Sequence, residues 1–267
     1  MDILKRSLAP ITEEAWNEID KAARDVLMTQ LSARKIVDVD GPRGLDFAAV
    51  VVGRLDMPKK SKDGEVRYGI QKVQPLVETR IPFELDIWEL DDVIRGAKDV
   101  DFDPLEEAAR KMAVFEENAA YHGFQEANIK GLLDGSSHKP LEFDTGSAES
   151  FLEAISGAVA LLTDTYIEGP YALAISPSLW HRILADVKDY PLRQHVQNII
   201  DGNIVFTPNI KDALLISTRG GDFELTLGMD FSVGYQSHGN NKVTLFFTES
   251  FTFRILEPRA LVSLKGK

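Results

Sequence analysis

Near the N-terminus the apolar residues Trp16, Ile19, Ala23, Val26, Leu27 and Leu31 recur every three or four positions. That spacing puts them on one helix face, so an amphipathic helix is predicted from residue 12 to about 33. Thr12 is suited to cap its start, Glu13 and Glu14 fall where the helix dipole favours anions, and Arg34 and Lys35 close the other end. Residues 47–56 (FAAVVVGRLD) and 66–73 (VRYGIQKV) read as strands joined through PKKSKDGE, with Asp63-Gly64 at the tip, which makes a long hairpin. Its tip holds almost nothing that would enter a core, and a lone two-stranded ribbon is marginal in water, so another subunit is expected to cover it. Leu76–Leu85 continues as an extended segment that Pro82 is expected to break.

Asp103-Pro104 marks a helix start, and Leu105, Ala108, Ala109, Met112, Phe115, Ala119 and Ala120 carry the helix to Tyr121 or His122, with Gly123 as the stop. A further helix is predicted over Ala148–Leu162, and short ones from Ser176-Pro177 to about Val187 and from Tyr190-Pro191 to about Asp201. Tyr171–Ile175, Ile204–Thr207 and Ala213–Thr218 read as the strands between and after them, so this third of the chain forms an α/β lobe. Next come two turn signals, Arg219-Gly220-Gly221-Asp222 and Gly228-Met229-Asp230, joined to short strands at Phe223–Leu227 and Phe231–Tyr235. Val243–Ile255 is a final long strand. Thr244, Phe246, Thr248, Ser250 and Thr252 share one face; Leu245, Phe247, Phe251, Phe253 and Ile255 share the other, interrupted by Glu249. The fold class is α+β.

The chain of 267 residues is 44% hydrophobic and 27% charged, which fits one large or two ordinary soluble domains. Its net charge of −12 argues against nucleic-acid binding, which needs clustered cations. No cysteine is present, which removes disulfides, thiolate catalysis and cysteine-ligated metals. The N-terminal MDILKRSLAPITEE lacks a signal-peptide core, and the longest apolar run, Ala154–Leu162, is too short to span a bilayer. A cytoplasmic, soluble protein is expected.

A search for chemistry finds no catalytic constellation. His122, His138, His181, His195 and His238 are scattered without metal-ligand spacing. Ser136-Ser137-His138 reads as a loop, because triad members meet from distant elements. Glu106, Glu107, Glu116 and Glu117 read as a solvated helix face, since a di-iron bundle would need Glu-x-x-His pairs on partner helices. Asp91, Asp92, Asp99, Asp101 and Asp103 lack calcium-loop spacing. No phosphate-binding glycine loop occurs, so a non-enzymatic protein without a metal site is expected.

Several separated segments together resemble one family. They are LKRSLAPIT with Trp16 and Ile19-Asp20 behind it, ARKIVDVDGPRG (Ala33–Gly44), ELDIWELDDVIRG (Glu84–Gly96), IEGPYAL (Ile167–Leu173), RGGDFELTLGMDFSVGY (Arg219–Tyr235) and FTESFTF (Phe247–Phe253). In order and spacing they are similar to the encapsulins, shell proteins with the tailed-phage major-capsid-protein fold. The resemblance implies an N-terminal helix and the start of a peripheral domain (1–46) and an extended hairpin loop lying on a neighbour (47–75). It implies the peripheral domain with its spine helix (76–129), an axial domain (130–217), and a return to the peripheral domain with the final strands (218–267).

It further implies self-assembly into an icosahedral nanocompartment, most simply of 60 subunits. Its cargo would be enzymes such as a ferritin-like protein or a dye-decolourising peroxidase, serving iron storage or oxidative-stress defence. Their C-terminal targeting peptides would dock in a groove of Leu27, Leu31, Arg34 and Asp38 on the helix side and Asp230, Phe231 and Val233 on the strand side. The same residues would also suit sealing the chain's own core. Asp186, Lys188, Asp189 and Tyr190 are implied at the five-fold pore. Trp88 with Arg80 would hold a flavin (FMN or FAD) in some members; a structural tryptophan is the alternative. A phage or prophage major capsid protein is the competing reading. A secreted bacteriocin or peptidase would require a signal or a nucleophile constellation, and neither is visible.

Overall fold

The computed structural model describes residues 3–57, 66–185 and 191–267. The N-terminal apolar stripe folds as α1 (Glu13–Gln30), its Thr12 hydroxyl accepting the Ala15 amide. The helix stops short of its predicted end, and Arg34 and Lys35 lie in a separate 3-10 turn, Ala33–Lys35. The carboxylate of Glu117 accounts for the break: it accepts both the Ser32 hydroxyl and the Ala33 amide, which takes these groups out of the helical ladder. There follow β1 (Asp38–Asp40), the hairpin strands β2 (Ala49–Asp56) and β3 (Ile70–Pro75), and β4 (Val77–Asp86).

Residues left unassigned in the sequence reading form α2 (Ile87–Arg95). The Asp86 carboxylate caps it at the Trp88 amide, and Gly96 at φ 94° ends it in the left-handed region. The spine helix α3 is Asp103–His122. After it come β5 (Gly123–Phe124), β6 (Ile129–Lys130), a single turn α4 (Leu132–Gly135), β7 (Leu141–Phe143), α5 (Ala148–Asp164) and β8 (Tyr171–Ile175). Then follow α6 (Pro177–Ala185), α7 (Leu192–Ile200), β9 (Asn203–Phe206), β10 (Ala213–Ser217), β11 (Phe223–Gly239), β12 (Lys242–Ile255) and β13 (Leu261–Gly266).

Two sheets organise these elements. The first has the order β1-β11-β12-β4. The predicted turn at Gly228-Met229-Asp230 is instead a pair of bulges inside β11, with register shifts on both sides of Met229. The two expected short strands are therefore one, because the ladder to β12 bends and twists at the bulges without ending. Asn240 and Asn241, both at positive φ, make the tight turn into β12. Pro82 does not break β4, which pairs with β12 in unbroken register from Val77 to Asp86. As an edge strand β4 has an open side, where a missing amide costs no ladder bond.

The second sheet has the order β7-β13-β10-β8-β9, with β8 and β10 buried along their whole length. Its composition corrects the expectation that 218–267 returns as a whole to the first lobe: β13 lies between β7 and β10 in the second. One core joins α1, α2 and the first half of α3 to β4, β12 and Val233 of β11. The other joins the second sheet and α5–α7 to Ala119–Tyr121 of α3 and to the opposite ends of β11 and β12. Both lobes are thus built on α3 and the β11–β12 ribbon.

The hairpin belongs to neither core. Val51, Ile70 and Val73 are 62%, 65% and 52% exposed, and Val50 is its only buried hydrophobic residue among those described. The predicted tip, Pro58–Glu65, lies outside the described residues.

Candidate functional site: a groove between the first helix and the long ribbon

A groove of about 560 Å3 runs between α1 and β11. Helical spacing places Ala23, Leu27 and Leu31 along one wall. Phe231 and Val233, two apart on β11, stand on the other with Phe247 of β12. The N-terminal segment contributes Leu4 and Arg6. Leu4 is held there by its carbonyl, which accepts the Tyr235 amide at 2.7 Å. Arg6 stacks on Trp16 at 4.0 Å and pairs with Asp20 at 2.8 Å.

Six of the seven residues predicted for peptide binding line this groove: Leu27, Leu31, Arg34, Asp230, Phe231 and Val233. Leu27, Leu31 and Val233 are also core residues, so the groove floor is the outer surface of the first lobe's core. Asp38 does not line it. The 3-10 turn after α1 carries the chain away into β1, where the Asp38 carboxylate accepts the Gly221 amide at 2.6 Å.

Arg34 is not a free cation awaiting a partner. Its Nε and Nη2 donate to Glu116 of α3 at 2.9 and 2.5 Å, Nη1 donates to Asp230 at 2.8 Å, and Nη2 also reaches Glu249 of β12 at 2.7 Å. The guanidinium further packs over the Phe231 ring at 4.9 Å. Burial opposes its charge, but the surrounding carboxylates outweigh that and hold it firmly protonated.

Glu116 and Glu117 correct the expectation of a solvated face on α3, since both are fully buried; only Glu106 and Glu107 meet solvent, paired with Arg110 and Lys111. Burial raises the Glu117 carboxyl above the usual range, against the hydrogen bonds from Ser32 and Ala33. Glu249 is raised well above that range, by burial first and then by Glu116. These acids went unrecognised as site residues. The available signal was their placement, with Glu249 interrupting an apolar strand face and Glu116 and Glu117 continuing the buried stripe of α3.

The remaining candidates are dispersed. Arg80 stacks on Phe246 at 4.1 Å, while Trp88 is 61% exposed with Arg95 over its ring at 5.8 Å. Each has its own local partner and neither lines the groove, so a single chain does not join them into a flavin site. On the single chain most of the tryptophan's surface is exposed. Asp186, Lys188, Asp189 and Tyr190 lie outside the described residues. His138 binds the Arg259 carbonyl while the Ser136 hydroxyl donates to the Leu261 carbonyl, so the two make no nucleophile–base pair. Among the described residues no group of three or more acidic, histidine or cysteine side chains is placed to hold a metal. No helix among them is long and apolar enough to cross a membrane.

Residues 1–252 match the family described as "Encapsulating protein for peroxidase". The type 1 encapsulin shell protein of Rhodospirillum rubrum is 41% identical, with 100% of this chain and 97% of that one covered. That of Mycobacterium tuberculosis is 37% identical, with 99% of each covered. Among solved structures, the virus-like particle from Pyrococcus furiosus aligns with a TM-score of 0.66 at 20% identity, covering 93% of this chain and 98% of that one. The capsid of Myoviridae phage XM1 aligns with a TM-score of 0.56 at 13% identity, covering 89% and 92%. The fold is that of tailed-phage capsid proteins, the relatives are structural shell proteins and not enzymes, and the chain belongs to the encapsulin shell-protein family.

Proposed function

We propose that the chain is the subunit of a closed icosahedral compartment, most simply of 60 copies, and that the α1–β11 groove docks the C-terminal targeting peptide of an enclosed enzyme. The hairpin carries the assembly half of this reading. It displays valine, isoleucine and tyrosine to solvent and has almost no core of its own, so burial against a neighbouring subunit would stabilise it. The groove carries the docking half: an apolar floor with polar groups at its rim suits an extended peptide whose side chains occupy it in turn. A ferritin-like protein or a dye-decolourising peroxidase is the cargo the family suggests, in iron storage or oxidative-stress defence within the cytoplasm.

A phage or prophage capsid protein shares the fold. Full-length relatives at 37–41% identity are encapsulin shells, whereas the phage XM1 capsid is 13% identical, which favours the compartment. Electron microscopy of the purified protein is expected to show uniform closed particles of about 1.8 MDa if 60 copies assemble. Their absorbance should be that of protein without nucleic acid; particles filled with DNA would point to a virus, and a monomer would end the assembly reading. For the groove, Met28→Asp, at a lining residue that is 66% exposed and outside the core, should leave particles intact and deplete them of the enzyme that co-purifies with wild type from the native host. Unchanged packaging in intact particles would remove the groove from the proposal.

A further inference from the structure

Where β11 borders the groove, its outer edge runs out of partners. Before the groove the edge is taken: Asp38–Asp40 of β1 pair with Glu224–Thr226, and the Arg43 and Gly44 amides then donate to the Leu227 and Gly228 carbonyls at 2.9 and 2.7 Å. At the bulge, side chains satisfy the backbone. The Asp230 carboxylate accepts the Phe231 amide at 2.8 Å, and the Ser232 hydroxyl donates to the Asp230 carbonyl at 2.8 Å. Further on, the Tyr235 amide donates to the Leu4 carbonyl, and Lys5, at φ 50°, turns the N-terminal segment out of the extended line.

Val233 lies between these anchored points. Successive residues of a strand point their backbone groups to opposite edges, and no register shift separates Val233 from Tyr235. The Val233 N–H and C=O therefore face the same way as the Tyr235 amide, away from β12 and towards the groove that Val233 lines. Neither has a hydrogen-bond partner among the described residues. Val233 is only 3% exposed, so water reaches this pair poorly and leaving it unmet is unfavourable.

We propose that the docked peptide adds to β11 as a strand, its backbone accepting the Val233 amide and donating to the Val233 carbonyl, in line with the rung that Leu4 makes at Tyr235. This rests on the docking reading above and specifies its mode. Main-chain pairing at Val233 fixes the register, and the peptide's alternate side chains then turn towards the apolar floor of Leu27, Leu31 and Phe247. The partner that fits is an extended tail, apolar at every second position, with no proline where it meets Val233. A helical tail bonds its own backbone internally and would leave Val233 unmet.

Amide-resolved hydrogen exchange tests this by comparing particles purified with their enzyme from the native host against particles of the chain expressed alone. Loading should slow exchange of the Val233 amide by about tenfold, the worth of one backbone hydrogen bond, and leave Gly234, whose amide points to β12, unchanged. Equal exchange at Val233 in both samples, or a gain shared equally by Gly234, would overturn strand addition. Val233→Pro removes the donor without removing a bond to β12, so particles should form and carry about tenfold less enzyme; full loading would overturn the proposal as well. The exchange comparison uses the unaltered chain and decides the question even if the proline variant does not assemble. Met28→Asp keeps the two readings apart. Depletion in that variant with unchanged Val233 exchange removes only the strand pairing, whereas full loading of it removes the groove.

Discussion

Arg34 joins four pieces of chain that are far apart in sequence, and its planar fork is what lets it do so. Two nitrogens grip Glu116 side by side, one of them also reaching Glu249, while the third reaches Asp230. Removing it strands at least one buried charge, and breaking a buried network in this way costs about 3–5 kcal/mol. Arg34→Ala should therefore shift the urea unfolding midpoint markedly downward. Arg34→Lys should recover little, because a single ammonium cannot reproduce the bidentate grip and the two further bonds together. Neutralising the fully exposed Glu107, which pairs with Lys111 on the same helix, should leave the midpoint unchanged within error. Residue identity was plain in both cases; which glutamates are buried was not. Four glutamates on one helix read alike until the sheet is packed over two of them.

The elements divide by how local their causes are. α1, α3 and α5 were legible because each carries a cap or a proline at its start and an apolar stripe at helical spacing. α2 was missed because nine residues offer too few turns for that spacing to register beside the flanking strand. The bulged β11 was read as two strands because glycine at 228 signals a turn and a bulge equally well. The hairpin is the element whose stability is least its own. Ile70→Asp combined with Val73→Asp, both on its exposed surface, should abolish particle formation. The circular dichroism of the soluble protein should stay unchanged, since neither lobe draws on the hairpin for its core. Particles forming normally from the double variant would show that the hairpin is not an assembly contact.

At the scale of the molecule, chain order and spatial order part company. β13 completes a sheet whose neighbours β7 and β10 lie far earlier in the chain, and it is buried from Leu261 to Leu264. Deleting residues 261–267 would open the second sheet between two of its strands and expose α5 and β10. The truncated protein should be insoluble or molten, lose near-ultraviolet dichroism and form no particles, whereas a spacer added after Lys267, which is exposed, should be tolerated.

By itself the sequence determined the long helices, most strands, the absence of any cysteine chemistry and, through six separated segments, the family. All of these rest on residues near one another or on motifs that can be compared without knowing what they touch. Part of the groove lining was named as well, since the resemblance pointed to Leu27, Leu31, Phe231 and Val233, while Leu4, Arg6, Met28 and Phe247 went unnamed. Only the tertiary structure decided that Asp38 stands apart, that β13 crosses to the second lobe, and that Glu116, Glu117 and Glu249 are buried around Arg34 and Ser32. The reason is physical. A buried carboxylate is tolerated only where partners from other elements surround it, and strand pairing is settled by which edges meet when two sheets close over shared cores. Neither is a property of any stretch of chain taken alone.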